Sequence, residues 1–197
     1  MIIFGTRVRL KVLQALVFFC PRCGGDRQGE RLLARRWFTL FFLPVIPMDR
    51  VGEVVRCSTC RATFDPSVAD QPTSADLSVV LSNAVRVLAA MIVRTGDGAD
   101  ARLRAAAVDV VAKVDPAYDD AHLAGDVDAV DPTLADRYVE PLAATMAVPG
   151  KERLVADLVR IALTDGTITP DQRRVIDATG RGLGLTPAHV TGIVSSV

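Results

Sequence analysis

Aromatic side chains are scarce in this chain, at 5% of 197 residues, and they crowd one end. Six of the seven Phe and the single Trp37 precede residue 43. Net charge is also absent, with 23 basic against 23 acidic residues, so a strongly polycationic or polyanionic protein is excluded. Histidine is limited to His122 and His189, both in helical stretches without a surrounding motif. No glycine-rich phosphate loop follows a strand, and there is no nucleophile elbow. These gaps argue against an enzyme. The stretch before Cys20 ends in Phe18-Phe19, where a cleaved leader would need small residues. The apolar run from Trp37 to Met48 covers 12 residues and contains Pro44 and Pro47. A bilayer span needs about 20 apolar residues. The expected location is therefore cytoplasmic, where thiols stay reduced.

The neutral total hides two unlike parts. Residues 1–70 carry 11 basic and 6 acidic side chains, a surplus of +5. Residues 71–197 carry 12 and 17, a deficit of −5. Asp65-Pro66, Asp70 and Gln71-Pro72-Thr73-Ser74 form a polar, proline-bearing linker between them. Two domains are expected, 1–70 and 71–197.

The first part carries all four cysteines, as Cys20-Pro21-Arg22-Cys23 and Cys57-Ser58-Thr59-Cys60. A two-residue spacer lets both thiolates of one tight turn reach the same ion, and two such turns complete a tetrahedral Zn²⁺ site. A closed four-thiolate site has no open position, so the zinc would be structural. Two redox pairs would need a βαβ context that is not visible, and two disulfides would need an oxidising compartment. Gly24 and Gly25 follow the first pair, but Arg61 and Ala62 follow the second, where glycine is usual. Around the cysteines, Val8, Leu10 and Val12 alternate with Arg7, Arg9 and Lys11, which predicts a strand over 6–12. Further strands are expected over 37–43, ended by Pro44, and over 51–56.

The second part reads as helices. Ser74 is the expected cap of the first, with Leu77, Leu81, Ala84, Val85, Leu88, Met91 and Ile92 on its apolar face. It should stop at Thr95-Gly96-Asp97-Gly98, and a second helix should run from Arg102 to Lys113. Asp115-Pro116 and Asp131-Pro132 each look like a cap followed by proline at the first helical position. Pro141 should kink or split a helix over 132–147, and another should follow Gly150. Thr169-Pro170-Asp171-Gln172 matches a capping box, and Thr186-Pro187 should start the last helix. Two stretches, ending at Asp97-Gly98 and Asp165-Gly166, repeat the same apolar helix and turn. A calcium loop there would need oxygen ligands where Ile161 and Leu163 stand, and Glu where Gln172 stands. The fold class is α+β, a small β zinc ribbon followed by an all-α bundle.

Phe4-Gly5-Thr6, Phe18 to Asp26, Arg35 to Phe42 and Cys57 to Cys60 together resemble a bacterial zinc-ribbon family. That resemblance implies the fold and the four ligands, and no activity. Ala162 to Asp171, followed by Gly182-Leu183-Gly184-Leu185-Thr186, resembles the tellurite-resistance protein B (TerB) family. The resemblance covers about residues 75–197. It implies an all-helical bundle related to the N-terminal region of a DnaJ-like membrane co-chaperone, with acidic residues near the turns that bind metal. Residue by residue it carries over Asp97, Asp165 and Asp171, while Leu103 stands where the first repeat would want an acid. The His-Pro-Asp of a J domain is absent.

The expected function is non-enzymatic: a structural zinc ribbon joined to a TerB-like interaction or stress-response module, with metal or tellurite stress as its setting and a protein as partner. Nucleic acid is the first alternative, because Arg7, Arg9 and Lys11 share a strand face and Arg35-Arg36 precede Trp37-Phe38. Association with a membrane surface through the Trp37–Met48 segment is the second.

Overall fold

The computed structural model describes residues 4–40 and 43–197, with the side chains of Phe4 and Asp165 left aside. The chain divides into two compact units, Met1–Leu77 and Ser78–Val197. The division falls inside the first helix, whereas the sequence placed a boundary at 70/71 in the segment before it.

The first unit is an antiparallel four-stranded sheet in the order β1-β2-β3-β4. The strands are β1 (Phe4–Cys20), β2 (Gly25–Leu40), β3 (Leu43–Cys57) and β4 (Thr63–Phe64). Three of them are far longer than the expected segments 6–12, 37–43 and 51–56. The reason is a bulge. Val12 pairs with Leu32 but Gln14 pairs with Arg31, so Leu13 is extra. An inserted residue reverses which face the later side chains occupy. Before the bulge, Val8, Leu10 and Val12 lie opposite Arg36, Ala34 and Leu32. After it, Leu16, Phe18 and Cys20 share the other face with Gly29, Val55 and Cys57. That second face carries the small core, in which Phe18, Cys20, Val55 and Cys57 are fully buried and Val68 is nearly so.

Gly29 is required by this core. A Cβ there would stand 2.6 Å from Phe18 Cε1 and 2.9 Å from the Arg56 carbonyl oxygen. Phe64 meets Phe18 edge-on at a centroid distance of 6.0 Å. A short 3-10 turn at Pro66–Asp70, capped by Asp65, brings Val68 over the same cluster.

The second unit is built by α1 (Ser74–Thr95), whose first residues lie in the first unit, and by α2 (Ala101–Ala112), α3 (Asp120–Ala129), α4 (Ala135–Ala143), α5 (Val148–Ala162), α6 (Pro170–Gly182) and α7 (Pro187–Ser196). Leu88, Met91, Ile92, Leu103, Leu123, Leu158, Ile161 and Ile176 are fully buried in one cluster. Among the described residues the stretch Pro66–Thr95, made of the 3-10 turn and α1, is long and apolar enough by composition to cross a bilayer. Its most apolar window is 44% buried, and Leu88 to Val93 belong to the bundle core.

Four helix-start expectations need correction. Thr73, not Ser74, caps α1: its hydroxyl accepts from the Asp76 N–H at 3.1 Å, and the Asp76 carboxylate accepts from the Thr73 N–H at 2.9 Å. Asp115-Pro116 starts no helix. Asp115 closes a turn in which its backbone oxygen accepts from the Tyr118 N–H, and Asp119 caps α3 instead. The turn seats Tyr118 in the core, where its hydroxyl donates to Asp126 at 2.8 Å. Asp131-Pro132 opens only a 3-10 turn, Pro132–Leu134, and α4 then ends two residues after Pro141. Finally, α5 begins at Val148, with Pro149 in its first turn and Gly150 already helical.

Candidate metal centre

The cysteines sit at two hairpin ends on the same sheet. β1 and β2 close through Cys20 to Gly25, which are themselves a cross-strand pair. Within that turn the Cys20 carbonyl oxygen accepts from the N–H groups of Cys23 and Gly24, at 3.1 and 2.9 Å. β3 and β4 close through the second turn, where the Cys57 carbonyl oxygen accepts from the Arg61 N–H at 3.1 Å. The residue after each second cysteine is left-handed: Gly24 at φ 66° and Arg61 at φ 57°. The two knuckles thus share one backbone geometry although only one has glycine. Arginine holds the left-handed position at a cost of about 1 kcal/mol.

β2 bridges the knuckles. Gly29 pairs with Cys57 on β3, and the Ser58 N–H donates to the Gln28 carbonyl oxygen at 3.0 Å. The 33 residues between the pairs, 24–56, are therefore strand and hairpin. The four Sγ atoms all lie within 4.8 Å of one another. Cys20 Sγ and Cys60 Sγ are 3.8 Å apart. Sulfurs about 2.3 Å from a shared zinc lie about 3.8 Å apart in a tetrahedron, whereas a disulfide needs about 2.05 Å. All four are free thiols; Cys20 and Cys57 are buried, and Cys23 and Cys60 are half-buried.

The electrostatics suit a cation. The Cys60 N–H donates toward Cys57, and this with neighbouring donors draws the Cys57 thiol down to about 6. Burial first, then its contacts with the other three thiols, pushes Cys23 up to about 12. Negative charge thus gathers on one sulfur and is resisted on another. A dication at the centre would remove that conflict by favouring the thiolate at every position.

A contribution that sequence reasoning missed comes from Asp26, just past the first knuckle. Its carboxylate accepts from the N–H groups of Ser74 and Ala75, at 2.9 and 3.2 Å, at the start of α1. Those orphan donors are 48 and 49 residues away, and only the fold brings them to Asp26.

Among the described residues, the four cysteines are the only group of three or more cysteine, histidine or acidic side chains with ligand atoms this close. Asp97 closes its own turn, accepting from the Ala99 N–H at 3.0 Å. Asp171 stands in the first turn of α6 and pairs with Arg174. The Asp165 side chain lies outside the described residues. His122 bonds to Asp119, and His189 to Glu152, each at 2.7 Å.

Comparison with known proteins adds one match. No curated protein and no solved structure matches the chain. Residues 18–83, about a third of the chain and including all four cysteines, match the model of a zinc-ribbon family.

Proposed function

We propose that the N-terminal unit is a structural zinc ribbon, loaded with one Zn²⁺ by Cys20, Cys23, Cys57 and Cys60. The observation that carries this is the convergence of four sulfurs within 4.8 Å from two turns of one sheet. The family match over residues 18–83 supports it. Four thiolates fill a tetrahedron, so the ion has no position for water or substrate, and its contribution is to folding. The chain as a whole is non-enzymatic and works in a compartment that keeps thiols reduced. Elemental analysis of the purified chain tests the zinc reading, with one zinc per chain expected and loss of the metal on Cys23→Ser.

The helical unit is read as a TerB-like protein-interaction module with a stress-response role. Support for it is the Asp165-Gly166 turn followed by a helix that starts at Pro170-Asp171, the order that the TerB resemblance implies. Affinity capture with the full chain, with and without metal or tellurite exposure, tests this reading. Recovery of the same proteins from a chain lacking residues 78–197 would contradict it.

A further inference from the structure

Beyond Lys11 the sheet of β1, β2 and β3 continues toward the Leu40/Leu43 end, away from the cysteines, and there it changes character. Leu43, Val45 and Ile46 are 68, 55 and 56% exposed, while Val8, Leu10 and Val12, about half exposed, lie farther back beside and behind the arginines. Apolar patches of this kind on a folded surface mark an interaction site. Behind the tip stand Arg7, Arg9, Lys11, Arg35, Arg36 and Arg50, against two acids, Asp49 and Glu53, in residues 4–12 and 33–53. Arg9 lies opposite Arg35, and Arg35 opposite Arg50, so three arginines form one rung across three strands. Like charges directly opposite one another destabilise a sheet. Among the described residues none of these six cations has an ion-pair partner; the ion pairs of this unit are Arg31–Glu53 and Arg56–Glu30, nearer the cysteines.

The order along the strands is informative. The Leu40/Leu43 pair is at the tip. Trp37, half-buried and opposite Arg7, comes three residues back, about 10 Å at the usual strand rise. The Arg9–Arg35–Arg50 rung comes five residues back, about 17 Å. A bilayer presents the same sequence of layers: hydrocarbon, then an interface where tryptophan concentrates, then charged headgroups. With the tip sunk about 5–10 Å into the acyl boundary, Trp37 reaches the interface and the arginine rung reaches the phosphates. Among the described tip residues the exposed ones, Leu43, Val45 and Ile46, are aliphatic, as entry into lipid requires.

We propose that this end of the β1–β3 sheet docks on an anionic lipid bilayer, with Leu40, Leu43, Val45 and Ile46 entering the interface and the arginine rung holding lipid phosphates. The zinc-binding end of the sheet remains outside the lipid.

Trp37 is the single tryptophan, so its emission reports directly. The zinc-loaded full chain is floated with phosphatidylcholine vesicles, with or without phosphatidylserine. Expected are co-flotation with the anionic vesicles, a blue shift of Trp37 emission, and reversal by salt. Leu43→Asp with Ile46→Asp should abolish flotation, and Arg9→Glu with Arg50→Glu should weaken it about tenfold or more. All four positions are on the surface, so retained zinc content and circular dichroism confirm that the variants fold. Three results would overturn the proposal. One is no flotation with anionic vesicles. Another is a lipid-free dimer that the Leu43→Asp/Ile46→Asp variant breaks. The third is binding of an oligothymidine strand that survives those tip changes while lipid binding is absent.

Discussion

Gln172 donates from Nε2 to the backbone oxygen of Ile92 at 3.3 Å, and it is completely buried. The same side chain accepts from the Thr169 N–H through Oε1 at 2.9 Å, and the Thr169 hydroxyl donates to the Thr95 carbonyl oxygen at 3.0 Å. One capping box therefore starts α6 and closes the C-terminal end of α1. The cap hydroxyl of one helix thus takes a carbonyl oxygen at the end of the other. The residue that rules out a calcium loop is thus used as a clamp.

Replacing Gln172 with alanine should cost about 1–2 kcal/mol, because it removes the cap partner of the Thr169 N–H, while the Ile92 oxygen keeps the Gly96 N–H. Urea unfolding followed at the helical signal measures it. A midpoint equal to that of the unaltered chain would show that the clamp contributes nothing.

Gly29→Ala should damage the ribbon. The new methyl group would overlap both the Phe18 ring and the Arg56 backbone, and the backbone cannot move aside without breaking the β2–β3 pairing. Overpacking of this kind costs about 1–3 kcal/mol. The loss should appear as weaker zinc retention in a chelator competition, with the helical transition unchanged.

Arg61→Gly should leave the ribbon as stable as before, or more stable by up to about 1 kcal/mol. It removes the left-handed penalty but adds freedom to the unfolded chain. Arg61→Val should do the opposite, since a branched side chain at φ 57° is strained. Thermal melts of the three zinc-loaded chains give the order.

Acid should weaken the helical unit by uncapping its helices. Thr73 hydrogen bonds hold the Asp76 carboxyl below its ordinary value, and the Arg102 N–H does the same for Asp100. The His122 N–H lowers Asp119, and the Thr133 hydroxyl lowers Asp131. A carboxyl whose folded pKa is depressed contributes stability that is fully present above the unfolded value. That contribution is lost as pH falls through the folded value. The loss should therefore begin below about pH 4, and circular-dichroism melts across that range should show it. Unchanged melting there would remove the caps from the account.

Much of this was legible in the sequence, for a local reason. The Thr169 and Thr186 caps, the Asp-Gly turns and the two cysteine pairs are written in four to six consecutive residues, and local hydrogen bonds or ligand geometry decide them. The long strands were not legible, because the bulge at Leu13 reverses the period of two and hides the continuity of β1. Asp26 at the start of α1 and Gln172 against Ile92 were illegible for another reason. Each joins residues 48 or more positions apart, and no local pattern marks such a partner. Arg61 reads as a departure from the glycine rule, yet it occupies the same left-handed geometry as Gly24.

Whether a metal ion organises the first unit while the second stands without it is read from amide spectra of the full chain before and after zinc is withdrawn with a chelator. Expected are collapse of resonance dispersion for residues 4–64, persistence of the helical resonances beyond residue 78, and recovery on adding back one equivalent of zinc. A fully dispersed N-terminal spectrum in metal-free protein would contradict it.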